Sequence, residues 1–243
     1  MSIVQTDVPM TYGLCHETIQ KIVESYPVCR RRTIGTTAFG RELEAMSIGS
    51  GGRTVLFTAA HHANEWITAT VLLKFAEELS KAILEGGSVY GIPGKLFELN
   101  CQIFLVPMVD PDGVDLVTGG IPVGSLQWEK ARSLADNYPN IPFPDGWKAN
   151  LLGVDLNLQY PAGWLQAREI KFSLFRLVHI PADIGFDRVK ARRLELFEPV
   201  LPIFGHDAEI VHRAGIYAKA LAVHFKLAVF YSEHLSVPPK IFS

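Results

Sequence analysis

The segment His61-His62-Ala63-Asn64-Glu65-Trp66 brings imidazoles and a carboxylate together in a short stretch of chain. It falls where an apolar run, Thr54–Ala60, gives way to helical periodicity, so a strand ends and a helix begins there. An imidazole and a carboxylate three residues apart at such a junction can converge on one side of the first helical turn, with the strand fixing the backbone behind them. Nitrogen and oxygen donors of this kind suit zinc, and a catalytic zinc centre takes three protein ligands and leaves a fourth position for water. His62 and Glu65 would supply two of the three. The spacing by itself is common, and a surface helix start whose carboxylate is favoured by the helix dipole would read the same way.

The elements that must hold this segment are legible on either side of it. Thr11–Tyr26 places Leu14, Ile19, Ile22, Val23 and Tyr26 at helical intervals ahead of Pro27, the pattern of an amphipathic helix. An extended segment around Arg31–Ile34, a turn at Thr36–Gly40 and alternation over Leu43–Ile48 predict a hairpin. Thr54–Ala60 and Cys101–Met108 read as buried strands, with a helix over Trp66–Leu84, stopped at Gly86-Gly87, between them. Strand, helix and strand in that order form a right-handed βαβ unit. After Met108 the texture changes: Asp110-Pro-Asp-Gly113 reads as a turn, and Gly119–Gly153 as a long loop rich in Pro, Gly, Asn and Asp. Long ordered loops at strand ends carry function, so Pro107–Trp164 is where substrate contacts are expected. The expected fold class is α/β, with a mixed, mostly parallel central sheet and helices on both faces.

Composition narrows the function. The chain of 243 residues is 48% hydrophobic and 20% charged with a net charge of -2, which suits a folded globular protein and supplies no basic stripe for phosphates. No run approaches the roughly 20 apolar residues that span a bilayer, and MSIVQTDVPM lacks the basic and then apolar pattern of a secretory leader. A cytoplasmic protein with neither nucleic acid nor membrane as partner is therefore expected, its oligomeric state left open. Cys15, Cys29 and Cys101 have no paired spacing and read as buried thiols.

Three further segments follow the histidine segment in order: Val106-Pro-Met-Val-Asp-Pro-Asp-Gly113, Gly146-Trp-Lys-Ala-Asn150 and Gly153-Val-Asp-Leu-Asn-Leu-Gln-Tyr-Pro-Ala-Gly-Trp164. Together the four resemble the zinc carboxypeptidase family, peptidase family M14, and within it the bacterial γ-D-glutamyl-L-diamino-acid endopeptidases that cut peptidoglycan stem peptides. The resemblance runs from about Tyr12 to Arg168. It implies a zinc-dependent peptidase in which His62 and Glu65 are metal ligands, Lys148 takes the place of an arginine that polarises the scissile carbonyl, and Asn157 binds a substrate carboxylate. The implied cofactor is Zn2+, and the implied partner a peptide or peptidoglycan-fragment substrate.

The departures are informative too. Where the family commonly has Asp-Xaa-Asn-Arg-Asn, this chain has Asp155-Leu-Asn157-Leu158-Gln159, and leucine cannot reproduce the bidentate guanidinium that clamps a C-terminal carboxylate. That disfavours an ordinary carboxypeptidase and suits the endopeptidase branch, as does Asn64 in place of an arginine. The family's third zinc ligand, a histidine, has only weak candidates in His212 and His224, and its glutamate base has no counterpart among Glu195, Glu198, Glu209 and Glu233. Residues 1–171 therefore read as the N-terminal part of a catalytic domain, and 172–243, which holds five of the eight histidines, as a divergent or frameshifted tail. The rival reading is an inactive remnant or binding module that keeps the front of the fold without turnover.

Overall fold

The computed structural model describes residues 2–160, together with Gln166, Glu169 and the pair Phe230–Tyr231. The first helix, α1 (Tyr12–Ser25), starts at Thr11, whose hydroxyl accepts a hydrogen bond from the Leu14 amide, and it buries Cys15, Ile19 and Ile22 on one face. The chain then forms a hairpin of β1 (Cys29–Thr36) and β2 (Glu42–Ile48), paired antiparallel. Arg41, at the turn, reaches out of the hairpin: its guanidinium donates to Asp112 at 2.7 Å and to Asp115 at 3.0 Å and stacks over the Tyr12 ring.

The strand β3 (Arg53–Thr58) leads into a 3-10 turn (Ala63–Glu65) and the long helix α2 (Ile67–Glu85), which ends at Gly86 in the left-handed conformation that glycine adopts without steric cost. Two short strands, β4 (Ser88–Val89) and β5 (Ile92–Pro93), and a short helix α3 (Gly94–Asn100) bring the chain back to β6 (Cys101–Val106). β6 lies parallel to β3, which completes the βαβ unit expected from the sequence. The sheet order is β1-β2-β6-β3-β7, where β7 (Phe230–Tyr231) pairs antiparallel with β3 at Val55 and Leu56.

The class is α/β with a mixed sheet, as expected. Among the described strands the parallel pairing is that of β3 with β6, and the other pairings of this sheet are antiparallel, so parallel pairing weighs less there than the sequence suggested. The hairpin explains the difference: a tight connection between β1 and β2 forces them antiparallel, and β2 then meets β6 in the same sense. Helices α1 and α2 pack on one face, around Met46, Ile48, Val55, Ile103 and Leu105. The opposite face carries Ala45, Leu56 and Val106, and the helical cover expected there lies outside the described residues.

Two further differences lie in the stretch read as turn and loop. Asp110-Pro-Asp-Gly113 is the start of a helix, α4 (Pro111–Thr118): the Asp110 side chain caps it by accepting from the Gly113 amide at 3.0 Å, and Pro111 occupies a first-turn position that needs no amide. A helix α5 (Leu126–Ala135) forms inside the long loop, started by the Ser125 hydroxyl and held by burial of Ala131 and Ala135. Its fully buried positions are both alanine, too small to stand out as a periodic signal, while Trp128 and Leu134 pack beside them half-buried. Among the described residues no helix is long and apolar enough to cross a membrane. Cys15 and Cys29 are buried, Cys101 is half-buried, and all three are free thiols.

The centre of α2 sets the stability of this layer. Leu72, Leu73, Ala76 and Leu79 are fully buried, and truncating a leucine there to alanine costs about 2–5 kcal/mol. Glu77 lies among them with 2% exposure and accepts hydrogen bonds from the N-terminal segment, the Ile3 amide at 2.6 Å and the Ser2 hydroxyl at 2.9 Å, and from the Lys74 ammonium on its own helix at 3.0 Å. Burial works against its charge, but these donors outweigh it and hold the carboxyl below the usual glutamate range. A carboxylate with a depressed folded-state pKa contributes stability above its unfolded value of about 4.3 and loses it as the pH falls through the folded value. Glu77→Gln should therefore lower stability by about 1–2 kcal/mol at neutral pH, with the gap to the parent closing below about pH 4. Urea unfolding across that range measures it, and a gap that does not change with pH would refute the charge-based account.

Candidate functional site

Backbone hydrogen bonds at the ends of β3 and β6 lock three separate segments together. Ala59 donates to Val106 at 3.0 Å, Val109 donates to Ala59 at 3.0 Å, and Asp110 donates to Ala60 at 2.9 Å. Ala63 donates to the Lys148 carbonyl at 3.1 Å, which brings the Gly146–Asn150 segment beside the histidine segment. The chain reverses at Ala60, whose φ of 48° lies in the left-handed region that a non-glycine residue seldom adopts. Thr68 holds this bend: its hydroxyl accepts from the Ala60 amide and donates to the Glu65 carbonyl, each at 2.8 Å. Gly113 permits the approach of the third segment, since a Cβ there would come within 2.7 Å of the Ala149 carbonyl and 2.2 Å of Asp110 Oδ2.

His62 lies in this frame, buried to 5% exposure. Its Nδ1 faces Glu65 Oε1 at 3.1 Å and its Nε2 faces Asp155 Oδ1 at 3.1 Å. Burial of the ring opposes a positive charge, but hydrogen bonds to Asp155 and then to Glu65 outweigh it and raise the His62 pKa to about 9. The two carboxylates differ in placement. Glu65 shares one side of the ring with whatever would bind at Nδ1, whereas Asp155 fixes the far nitrogen, as an outer carboxylate does for a metal-bound histidine. The Asp155 side chain also caps the 3-10 turn Leu156–Leu158 by accepting from the Asn157 amide at 3.1 Å, so a single carboxylate orients the ring and shapes the turn.

The neighbouring histidine faces elsewhere. His61 is buried, and its Nε2 meets the hydroxyl of Tyr160 in a short hydrogen bond that ties the end of β3 to the segment after the 3-10 turn. Burial pushes the Tyr160 phenol up. Trp147 is buried and packs edge-on against Phe143, with ring centroids 5.9 Å apart, leaving the adjacent Lys148 side chain exposed. Asn157 is exposed and Leu158 half-buried.

The structure thus brings His62 and Glu65 within one metal's reach of each other and sets Lys148's backbone beside them, while the Asn157 side chain faces solvent. As a donor set, an imidazole nitrogen and a carboxylate oxygen at this separation fit two ligands of one zinc ion. Among the described residues, no third histidine, cysteine, aspartate or glutamate joins that pair as a ligand. The candidates His212 and His224, and the glutamates Glu195, Glu198, Glu209 and Glu233, lie outside the described residues. Sequence reasoning assigned no role to Asp155, although it quoted the segment containing it. The partner of His62 is 93 residues away along the chain, and no local spacing announces such a contact.

Comparison with known proteins bears on these residues. The model of the family described as zinc carboxypeptidase matches residues 15–173. A gamma-D-glutamyl-L-diamino acid endopeptidase 1 from Lysinibacillus sphaericus is 34% identical over 154 residues, covering 63% of this chain and 38% of that protein. The uncharacterized protein YqgT from Bacillus subtilis (strain 168) is 38% identical over 149 residues, covering 60% of this chain and 39% of its own length. The chain thus spans about two fifths of the length of these relatives. Among solved structures, bovine thrombin-activatable fibrinolysis inhibitor in complex with tick carboxypeptidase inhibitor aligns with 65% of this chain and 45% of its own, at 16% identity and a TM-score of 0.46.

One buried group in the frame is unmatched. Asp110 is 2% exposed, and its Oδ2 has no hydrogen-bond partner among the described residues. Burial, above all, raises its carboxyl well above the ordinary aspartate range, against the opposing effect of the Gly113 amide. A carboxyl whose folded pKa lies above its unfolded value of about 3.9 loses stability as the pH rises from the second value to the first. Asp110→Asn keeps the cap and removes that ionisation, so the variant should equal the parent near pH 3 and exceed it at neutral pH. Thermal unfolding at the two pH values measures this, and a variant less stable at neutral pH would show that the ionised form is the native one.

Proposed function

Because the chain belongs to the zinc carboxypeptidase family, we propose that it serves zinc-dependent hydrolysis of peptide bonds, and of γ-D-glutamyl-diamino-acid bonds in peptidoglycan fragments in particular. The observation that carries this reading is the convergence of His62 Nδ1 and Glu65 Oε1 at 3.1 Å, with Asp155 on the far nitrogen. His62 and Glu65 would hold the ion, with a third histidine still to be identified. When bound, zinc supplies Lewis-acid polarisation of a carbonyl and a water of lowered pKa. Asp155 keeps a proton on His62 Nε2 and so presents the Nδ1 lone pair to the metal. Lys148 would offer a cation to a developing oxyanion, and Asn157 an amide donor to a substrate carboxylate; the exposure of both side chains supports these roles.

The substrate assignment draws on the name of the Lysinibacillus sphaericus relative and on Leu158. An exopeptidase that grips a free C-terminal carboxylate gains most from a guanidinium, and leucine offers no charge there. An endopeptidase has no such terminus to grip. The match of the family model stops at residue 173, and the second reading, a remnant without turnover, takes its support from the lack of a third ligand among the described residues.

Zinc stoichiometry and hydrolysis of a γ-D-glutamyl-diaminopimelate peptide on the full chain distinguish the two. The proposal expects zinc at this site lost on His62→Ala, held about 10–100-fold more weakly on Asp155→Asn, and turnover that follows zinc in both. Zinc binding indifferent to His62, or zinc held at His62 with no hydrolysis, would favour the remnant. Leu158→Arg tests the specificity: a gain of activity on C-terminal residues would show that the missing guanidinium is what separates this chain from an ordinary carboxypeptidase.

A further inference from the structure

The sheet face covered by α1 ends in polar side chains. Glu42 and Glu44 are two residues apart on β2 and project to the same side, on which Met46 and Ile48 pack beneath α1. His16 extends from α1 to meet them, its Nδ1 2.8 Å from Glu44 Oε2. One donor atom from each of His16, Glu42 and Glu44 lies within 4.8 Å of the others. We propose that these three side chains form a second divalent-metal site, of the imidazole and carboxylate type that takes zinc or a similar first-row ion, separate from His62 and Glu65.

Each of the three is also held by a residue outside the trio. The Gln20 amide lies 2.8 Å from His16 Nε2, Arg31 donates to Glu44 Oε1 at 2.6 Å, and the Thr33 hydroxyl donates to Glu42 Oε2 at 3.2 Å. Outer contacts of this kind fix the orientation of metal ligands and are part of a working site. Arg31 occupies the Glu44 oxygen that faces away from His16 and leaves the other available. Two carboxylates against one guanidinium leave a net negative charge that favours a cation. Tyr12, Cys15, Ile19 and Met108 line a small pocket with the two glutamates, a largely apolar wall behind the cluster, while His16 keeps 31% of its side chain open to solvent. Two ligands at about 2.1 Å from a tetrahedral ion lie roughly 3.4 Å apart, so a modest side-chain rotation closes the trio. With Nδ1 on the metal, Nε2 carries the proton, and a half-turn of the Gln20 amide presents its oxygen to it.

Equilibrium dialysis of the full chain with Zn2+, and the visible spectrum with Co2+, test the site independently of peptidase activity. The expected result is one zinc retained in His62→Ala and lost from that variant when either His16→Gln or Glu42→Gln is added to it. Each loss should exceed the roughly tenfold to hundredfold weakening that removal of an outer partner causes, with circular dichroism unchanged. If His16→Gln does not fold, Glu42→Gln decides, since it keeps the length and hydrogen-bonding capacity of a hairpin side chain. No zinc retained in His62→Ala, or zinc retained undiminished when Glu42→Gln is added to His62→Ala, would overturn the proposal and leave the cluster an ion-pair network only.

Discussion

The carbonyls of Ala59 and Ala60 do most to make one site of three distant stretches of chain. Beyond the end of β3 they accept hydrogen bonds from Val109 and Asp110, while the Ala59 amide donates back to Val106. These bonds extend the β3–β6 pairing by two residues past its regular end, and they do so where the chain must turn into the 3-10 segment that carries Glu65. The bend at Ala60 is sterically unfavourable for a residue with a side chain and persists because Thr68 satisfies both sides of it. The Gly146–Asn150 segment then docks through Ala63, and Asp155 reaches His62. Loss of the strand-end geometry would scatter residues that lie nearly a hundred positions apart.

Much of this frame could be read from the sequence, for reasons that lie in particular residues. α1 and α2 announced themselves because Ile19 and Ile22 in one and Leu72, Leu73, Leu79 and Ile83 in the other recur at helical intervals, and their ends carry Thr11 and Gly86. β3 and β6 were visible as apolar runs because neighbouring residues that point to opposite faces, such as Val55 and Leu56 or Leu105 and Val106, are all buried. What escaped was encoded in small or polar residues: α5 buries alanines, and α4 begins in a tetrapeptide whose composition favours a turn equally well. The histidine and glutamate at the site stood out by spacing, whereas Asp155 and Tyr160 gain their meaning only from partners far away in sequence.

The two consecutive histidines show how burial and partners divide labour between neighbours. Successive residues of an extended chain point in opposite directions, so His61 and His62 cannot serve one centre. His61 spends its nitrogen on a buried phenol, which braces the segment containing Asp155. His62 meets two carboxylates and takes on positive character. A strongly acidic pocket around a buried imidazole is unfavourable for a neutral ring and favourable for a cation, whether that cation is a proton or a metal.

The edges of the sheet are unequal, and this bears on how the chain behaves in company. On one side β1 presents Arg30 and Arg32 on the face opposite the Glu44-paired Arg31, like charges that repel a second copy of the same strand and discourage edge-to-edge stacking. On the other side β3, with Val55, Leu56 and Phe57 at its centre, is paired on the edge away from β6 by Phe230 and Tyr231, opposite Val55 and Leu56. A disturbance that frees that edge exposes a hydrophobic strand with open amides, whereas the arginine side stays self-avoiding whatever happens to the metal chemistry.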